Sequence, residues 1–217
     1  ILEGEKICLI DAGVMGTAPL LLDYLKQIGR SPSEISIVLL THAHPDHIGG
    51  CLAIKNTSSA FFCAHPADKP WIEDVEKQYR ERPILNFFEL VGGSVRVTRE
   101  LKEGNTVSWE KGKTIRVLET PGHSLGSISL FFAEEGSLFT GDAVPASGTI
   151  PIYVDPESSI QSIQKLRRVS GVKYLLSSWH EPISGSQINT AMDEGIRYIE
   201  KIDEIVTDLL KTMPPET

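Results

Sequence analysis

A continuous apolar run at residues 35–41 ends directly in the segment HAHPDH, which holds three of the chain's six histidines. Such a run is typical of a strand that is covered on both faces. Side chains two apart on a strand point the same way, so His42 and His44 face one side, and the following turn can bring Asp46 and His47 to the same rim. Imidazole nitrogens beside a carboxylate predict a site for a borderline metal such as Zn²⁺. The alternative interpretation is a surface loop that is merely rich in polar residues.

Three more ligand-type residues follow other predicted strands. His123 lies in TPGHSLGS, Asp142 ends LFTGD, and His180 comes after VKYLLSSW. Sites in α/β folds assemble at the carboxyl ends of strands, so these ends predict one metal site built from distant segments. We interpret His65, in CAHPAD, as a structural or supporting residue, with substrate contact as the alternative. Thr41 is a candidate to orient a ligand histidine through its outer nitrogen.

The rest of the chain alternates two patterns. KICLIDAG, ISIVLLT and AFFCAH read as strands separated by helices, and residues 66–91 are helical but irregular. SVRVTREL, NTVSWEKGKTIRVLET and SISLFFAEEGSLFTGD alternate apolar and polar residues around glycine turns, which is typical of hairpins. A helix, a strand and a long helix over about residues 186–211 follow. These patterns predict an α/β chain with two sheets and outer helices.

No internal repeat or linker divides the chain, so we expect one domain over residues 1–217. The abrupt opening on a strand is compatible with a missing native N-terminal strand. The last helix carries an apolar stripe, which most simply covers a sheet, while a homodimer seam is the alternative. The stripe consists of Ile188, Met192, Ile196, Ile199, Ile202, Val206 and Leu209.

Composition limits the partners and the compartment. The net charge is −8 and no basic tract is present, which argues against a nucleic-acid partner. No run of about 18 apolar residues is available to span a membrane, and the opening is not typical of a signal peptide. The three cysteines are odd in number and lack CxxC spacing, which favours free thiols in a reducing cytoplasm.

Taken together, these motifs resemble those of the metallo-β-lactamase superfamily. They occur in the order that is typical of the family and extend over nearly the whole chain. LIDAG at residues 9–13 also resembles the family's early DTG turn. The resemblance implies a four-layer αβ/βα sandwich of two mixed sheets with outer helices, and two Zn²⁺ ions per chain, with iron or manganese as alternatives. It implies one ion held by His42, His44 and His123, and a second held by Asp46, His47 and His180, with Asp142 bridging the two.

TPGHSLGSISL followed by GD is most similar to the branches that contain glyoxalase II enzymes and lactonases. The resemblance implies a hydrolase in which a hydroxide shared by two metal ions cleaves a thioester, an ester or a lactone, while Asp46 handles the proton. Two Zn²⁺ ions, two carboxylates and a hydroxide leave a local charge of about +1. We therefore expect a small-molecule substrate that is acyl or anionic.

The chain also departs from these branches. The basic C-terminal region with which glyoxalase II enzymes bind glutathione is not evident after His180, and the tyrosine that lactonases place soon after the bridging aspartate is delayed to Tyr153. The main branches of true β-lactamases lack this bridging aspartate, so that activity is not expected. Two alternatives stay open: an iron-dependent oxidoreductase similar to persulfide dioxygenases, and a phosphodiesterase or nuclease.

Two segments are candidates for substrate selection. Residues 66–91 carry aromatic side chains, among them Trp71, that could roof an apolar pocket. Residues 145–156 follow Asp142 directly, are rich in turn-forming residues and contain Tyr153. Trp71 and Tyr153 are therefore predicted substrate contacts, with ordinary packing as the alternative for each.

Overall fold

Two β-sheets stacked face to face, with helices on both outer faces, form the framework of the protein. The computed structural model describes residues 1–149 and 152–212. The layers follow the αβ/βα order that the sequence predicts, because one apolar core lies between the sheets and one lies under each helical layer.

The first sheet has five strands in chain order, of which only β1 runs antiparallel to its neighbour. A parallel strand that is covered on both faces needs an apolar side chain at nearly every position, as the segment ISIVL has. The strands are β1 (Leu2–Glu3), β2 (Ile7–Ile10), β3 (Ile35–Leu39), β4 (Phe61–Ala64) and β5 (Arg99–Glu100).

The second sheet has six strands in the order β11-β10-β9-β8-β7-β6, and all neighbours are antiparallel except β9 and β10. The hairpins predicted at NTVSWEKGKTIRVLET and SISLFFAEEGSLFTGD are confirmed as β6–β7 and β8–β9. The strands are β6 (Thr106–Glu110), β7 (Lys113–Glu119), β8 (Ile128–Phe132), β9 (Ser137–Gly141), β10 (Tyr174–Ser177) and β11 (Ile183–Ser184).

The hairpin predicted at SVRVTREL, residues 94–101, is wrong. This segment runs beside β4 and ends in β5, which pairs with β4 in parallel. The backbone N–H groups of Thr98 and Leu101 donate to carbonyl oxygens of that strand and its end. Val95 and Val97, whose alternation suggested a hairpin, are buried in the outer core of the first sheet. The alternating pattern marked burial on one face correctly and could not identify the partner strand.

Eight α-helices and two short 3-10 helices complete the described residues. The 3-10 helix Pro32–Glu34 begins with a capping box, because Ser31 accepts from Ser33 N and Glu34 accepts from Ser31 N. The other 3-10 helix is Met15–Thr17. The α-helices are α1 (Ala18–Gln27), α2 (Pro45–Ile48), α3 (Cys51–Thr57), α4 (Lys69–Glu73), α5 (Val75–Glu81), α6 (Phe87–Leu90), α7 (Pro156–Leu166) and α8 (Gln187–Thr212).

Neighbouring residues of one strand face different cores, as the twofold period of a strand requires. On β2, Leu9 packs under the outer helices, while Cys8 faces the second sheet. On β7, Leu118 packs outward with residues of α7 and α8, while Val117 faces the first sheet. Both sheets are therefore held in place on two sides, which fixes their strand ends relative to each other.

All three cysteines are buried and unpaired, which confirms the prediction of free core thiols. Burial raises the pKa of the Cys8 thiol to about 12, and it also raises the pKa values of Cys51 and Cys63. The reactive thiolate form is therefore disfavoured at all three positions.

The predicted stripe on α8 covers the second sheet over its first half only. Ile188, Met192 and Ile199 are buried in the outer core of that sheet, whereas Val206 and Leu209 are 46% and 56% exposed. No helix among the described residues combines the length and the apolar character needed to cross a membrane.

The two sheets approach each other closely where β9 ends. Gly141 has φ +50, and a Cβ atom there would lie 2.6 Å from Oγ1 of Thr41, at the end of β3. Only glycine has neither the strain nor the clash at this position.

We expect Gly141→Ala to lower the free energy of unfolding by about 2–5 kcal/mol, because it adds both a strained backbone and an overpacked contact. Gly112→Ala is the matched control, since Gly112 also has positive φ, at +78, but an added Cβ would meet nothing within 4 Å. The control should cost only about 1 kcal/mol. Equal losses in denaturant titrations of the two variants would show that the approach of the sheets is not tight.

Candidate metal centre

Three strand ends from both sheets deliver the side chains of the centre. His42 and His44 follow β3 of the first sheet, and α2, which carries His47, begins directly afterwards. His123 follows β7 and Asp142 follows β9, both in the second sheet. Because the sheets stack with these ends on the same side, residues more than 80 positions apart in the chain become neighbours.

Nitrogen atoms of three histidines converge at the first part of the centre. Nε2 of His123 lies 3.0 Å from Nε2 of His42 and 2.7 Å from Nδ1 of His44. His42, His47 and Asp142 form a second group that shares His42 with the first. Nε2 of His47 lies 3.1 Å from Oδ1 of Asp142, while the other oxygen of Asp142 lies 3.5 Å from Nε2 of His123. Asp142 therefore faces both groups, with a different oxygen toward each.

The outer nitrogens of these histidines identify where their protons lie. Nδ1 of His123 is 2.5 Å from the carbonyl oxygen of Ile152, and Nδ1 of His47 is 2.8 Å from Oδ2 of Asp11. Both partners can only accept, so both Nδ1 atoms carry the proton. The Thr41 hydroxyl donates to Asp11 and therefore accepts from Nδ1 of His42, as the sequence analysis considered. In each neutral ring the lone pair is consequently on Nε2, which faces the centre.

Acceptor atoms that face one another at these distances need a proton or a metal cation between them. Nε2 of His42 and Nε2 of His123 are both lone-pair nitrogens. Oδ1 of Asp142 is buried, and Nε2 of His47, 3.1 Å away, can donate to it only when that ring carries a second proton. Three imidazole nitrogens with a shared carboxylate are the donor set that a divalent metal of the Zn²⁺ type prefers. The residues present therefore fit a metal ion.

Burial keeps the first group in its ligand form. It lowers the pKa of His42 well below the usual value, lowers that of His44 to about 2, and also lowers that of His123. For His47 the effect of burial is outweighed by the carboxylates of Asp11 and Asp142, so its pKa is raised well above the usual value. Without metal, a proton thus satisfies the contact between His47 and Asp142, and a bound metal would take its place.

Two buried or partly buried aspartates hold the ligand loops in place. Asp11, with φ +58, accepts from both the backbone N–H and the hydroxyl of Thr41 as well as from His47. The sequence analysis connected Asp11 only with a turn. Asp68 was missed entirely, although its carboxylate is buried and accepts three hydrogen bonds.

The Asp68 carboxylate joins the two loops that carry the first group of histidines. It accepts from N of Ala43, which lies between His42 and His44, and from Oγ of Ser124 and N of Gly126, which follow His123; all three bonds are 2.8 Å. A Cβ at Gly126 would lie 2.4 Å from Oδ1 of Asp68, so a glycine is needed there. The segment HPADKP offers no spacing that would have predicted this connection.

Two of the predicted ligands lie outside both donor groups. Asp46 is at the rim, with a side chain that is 40% exposed and Oδ2 3.7 Å from Nε2 of His47. His180 lies near β10, with Nδ1 2.7 Å from Oγ of Ser177. Its neighbour Trp179, which the sequence analysis did not consider, donates from Nε1 to Oδ2 of Asp142 at 2.9 Å. The structure thus brings together five of the seven predicted ligands.

Three openings surround the centre. The Asp142 cavity, about 340 Å³, is lined by His123, Asp142, Asp46 and Trp179, among others. The His47 groove, about 730 Å³, also has Trp179 in its lining. The His44 cavity, about 390 Å³, is lined by His44 and by apolar residues of the irregular segment 66–91. Substrate therefore has access to the donor atoms from more than one side.

The predicted substrate contacts occupy different surroundings. Trp71 lines the His44 cavity, and its Nε1 donates to Oε2 of Glu81 at 2.6 Å. Tyr153 packs against the outer core of the second sheet. Within the predicted segment 145–156, residues 150 and 151 lie outside the described residues. His65 accepts from N of Ala67 and donates to Oε1 of Glu119, which agrees with a structural role.

Comparisons with known proteins agree with this architecture. The family model of the metallo-beta-lactamase superfamily matches residues 1–177. A hydroxyacylglutathione hydrolase of Chelativorans sp. (strain BNC1) is 28% identical over 190 residues, which cover 84% of this chain and 64% of that protein. A probable metallo-hydrolase of Methanocaldococcus jannaschii is 30% identical over 151 residues, which cover 68% and 67%.

A solved structure shows the same fold. BJP-1, a subclass B3 metallo-beta-lactamase of Bradyrhizobium japonicum, superposes with a TM-score of 0.77 at 22% identity and covers 99% of this chain and 88% of its own. The chain spans between 59% and 64% of the length of three curated relatives that it matches.

We expect Asp68→Asn to weaken metal binding by roughly 10- to 100-fold, because the amide cannot accept all three hydrogen bonds and the two ligand loops lose their connection. The measurement is a competition titration against a chromogenic chelator. Asp74→Asn is the control: Asp74 caps α5 by accepting from N of Lys77, which asparagine can also do, so the same chemical change should leave metal affinity unchanged. Unchanged metal affinity in Asp68→Asn would contradict the role of Asp68.

Removal of bound metal with a chelator should lower the melting temperature by roughly 5–10 °C, because the buried acceptor atoms then lose the cation that separates them. Asp142→Asn should bind less metal and show a smaller shift on chelation. An unchanged melting temperature after metal removal verified by elemental analysis would rule out this coupling between metal and fold.

Proposed function

Because the chain belongs to the metallo-beta-lactamase superfamily, we propose that it is a metal-dependent hydrolase that uses two Zn²⁺ ions to cleave a thioester, an ester or a lactone of a small molecule. The observation that carries this proposal is the arrangement of Asp142 in an open cavity, where one of its oxygens faces His47 and the other faces His123. A carboxylate placed in this way suits two neighbouring cations better than one.

Divalent metal ions bound at this centre would supply a Lewis acid for the substrate carbonyl and would lower the pKa of a coordinated water. His42, His44 and His123 would hold one ion, and His47 with the shared Asp142 would hold the other. Asp46 at the rim would contribute to the second ion. His180 would join it only by replacing Trp179 beside Asp142, since the indole N–H donates to the Asp142 carboxylate.

The chain's own residues would then position the reaction. The fixed outer-nitrogen bonds to Thr41, Asp11 and Ile152 keep the ligand rings from turning. Asp46 lines both the Asp142 cavity and the His47 groove and is partly exposed, so its Oδ2 can accept a proton in the site and release it to solvent. Trp179 lines the same two openings and would contact a substrate bound in either of them.

The substrate class rests on the relatives and on the openings around the centre. Hydroxyacylglutathione hydrolase is the name of one matched relative, and hydrolysis of a small acyl compound is compatible with cavities of about 340 and 390 Å³. We place the enzyme in the cytoplasm, because its three buried cysteines are unpaired and a reducing compartment keeps them so.

The decisive experiment combines elemental analysis with a substrate panel. We expect about two zinc ions per chain and measurable turnover of at least one thioester, ester or lactone. Asp142→Ala should reduce kcat/KM by more than about 100-fold together with metal content, because it removes the shared ligand. Asp208→Asn, an exposed residue paired with Lys211 on α8, should retain both.

Two results would overturn the proposal. Zinc-loaded protein that cleaves no member of a broad panel of these acyl compounds would exclude the activity. One iron per chain, with oxygen consumption in the presence of a persulfide, would favour the oxidoreductase alternative.

A further inference from the structure

The His44 cavity is lined by a cation, Arg82, that has no hydrogen-bonded or ion-paired partner among the described residues. Arg82 lines this cavity together with His44, and its side chain is half-buried. Its guanidinium makes no hydrogen bond or ion pair with any other residue that the structure describes. Burial lowers the pKa of Arg82, and the negative charge of Asp46 offsets only part of this cost of removing the guanidinium from water.

The other charged groups of this cavity are already occupied. Glu81 accepts from Nζ of Lys77 and from Nε1 of Trp71, so both of its oxygens are engaged. Asp68 accepts three hydrogen bonds from the ligand loops. Lys77 is paired with Glu81, so among the described residues of the lining Arg82 is the cation whose donors make no hydrogen bond. An arginine of this kind can bind a carboxylate through two parallel N–H bonds.

The sequence places Arg82 at this position by a simple local device. Pro83 follows it, and a residue before proline is excluded from the helical conformation. Arg82 is accordingly the C-cap of α5, with φ −142 and ψ 77. The chain therefore turns away from the helix at Arg82, and its side chain lines the cavity. The positive charge is close enough to the centre to contribute to the lowered pKa values of His42, His44 and His123.

We propose that the His44 cavity binds the acyl part of the substrate and that Arg82 pairs with a carboxylate at the far end of that acyl chain. The inference rests on the proposed function and narrows it to thioesters or esters in which a dicarboxylic acid retains one free carboxylate. Leu125, Val154 and Trp71 supply apolar walls for the methylene groups. Arg82 is then a specificity-determining residue, while the bond that breaks lies at the metal centre.

The size of the cavity limits the length of the acid. A volume of about 390 Å³ lies at the lower end of the range for small-molecule sites and suits a short chain of roughly four to six carbons. A charged end group also explains why an arginine is tolerated beside a site for cations. The repulsion between the Arg82 guanidinium and bound metal is offset only when an anion lies between the two.

The first test compares two substrates that differ only in the terminal group, a glutaryl and a valeryl thioester of the same thiol, with metal-loaded protein. The wild type should prefer the glutaryl thioester in kcat/KM, chiefly through KM. Arg82→Gln should lower the glutaryl-to-valeryl ratio by roughly 10- to 100-fold, which is the range for a lost charge-assisted hydrogen-bond pair. Arg82→Lys should retain part of the ratio.

Arg80→Gln is the matched control. Arg80 lies on α5, pairs with Asp74 on the exposed side and does not line the cavity. It carries the same change of charge and should leave the ratio within about twofold, because exposed charges at this distance are screened. An equal fall of the ratio in Arg80→Gln and Arg82→Gln would reduce the effect to general electrostatics and overturn the proposal.

A binding measurement separates this inference from the proposed function. Calorimetry with metal-loaded protein should show that glutarate binds more tightly than valerate, and that Arg82→Gln removes the difference. Turnover of acyl compounds with no glutaryl preference in either assay would overturn the role of Arg82 and leave the hydrolase intact. Glutarate binding that depends on Arg82, without turnover of any acyl compound, would instead retain the site and exclude the hydrolase.

Discussion

The structure depends on a set of buried acceptors that face one another. Nε2 of His42, Nε2 of His123 and the carboxylate of Asp142 meet within a few ångströms, and Oδ1 of Asp142 has a donor nearby only when His47 carries a second proton. Buried polar atoms without partners are costly, and a folded protein rarely keeps several of them together without a ligand. The fold therefore gathers several buried acceptors at one place, where a metal cation would satisfy them together.

The rest of the framework keeps these acceptors from separating. The core between the sheets, with Cys8 and Val117 on facing layers, sets the distance between β3 and the strand ends of the second sheet. Gly141 allows the last step of that approach, because any side chain there would meet Thr41. Asp68 then connects the β3 loop with the β7 loop, and Asp11 connects the first strands with His47. Packing brings the two sheets together, and hydrogen bonds to these two aspartates orient the ligand loops.

Much of this was predictable from sequence because strand ends carry a local signature. The apolar run before His42, the hairpin patterns and the ligand residues after each strand are all visible within about ten residues, and the structure places five predicted ligands together. The contributions of Asp68 and Trp179 were not predictable in this way. Asp68 acts on loops 25 and about 56 to 58 residues away, and Trp179 contacts Asp142 only because β9 and β10 pair in parallel. The prediction of a hairpin at β5 was wrong for the same reason. Alternation of apolar and polar residues shows which face of a strand is buried, but it does not identify the strand with which it pairs.

The candidate metal ligands and the candidate substrate-selecting residues also lie on different kinds of structure. The donor atoms lie at the ends of buried strands, where packing fixes them, whereas Arg82, Trp71 and Trp179 lie on short irregular segments at the surface of the site. This explains how a chain of net charge −8 could act on an anion. Two bound dications would exceed the charge of Asp46 and Asp142, and the unpaired guanidinium of Arg82 adds a further positive charge on the side of His44. The local field is then set by a few fixed groups inside a low-dielectric cleft, while the many surface carboxylates are screened by water and salt.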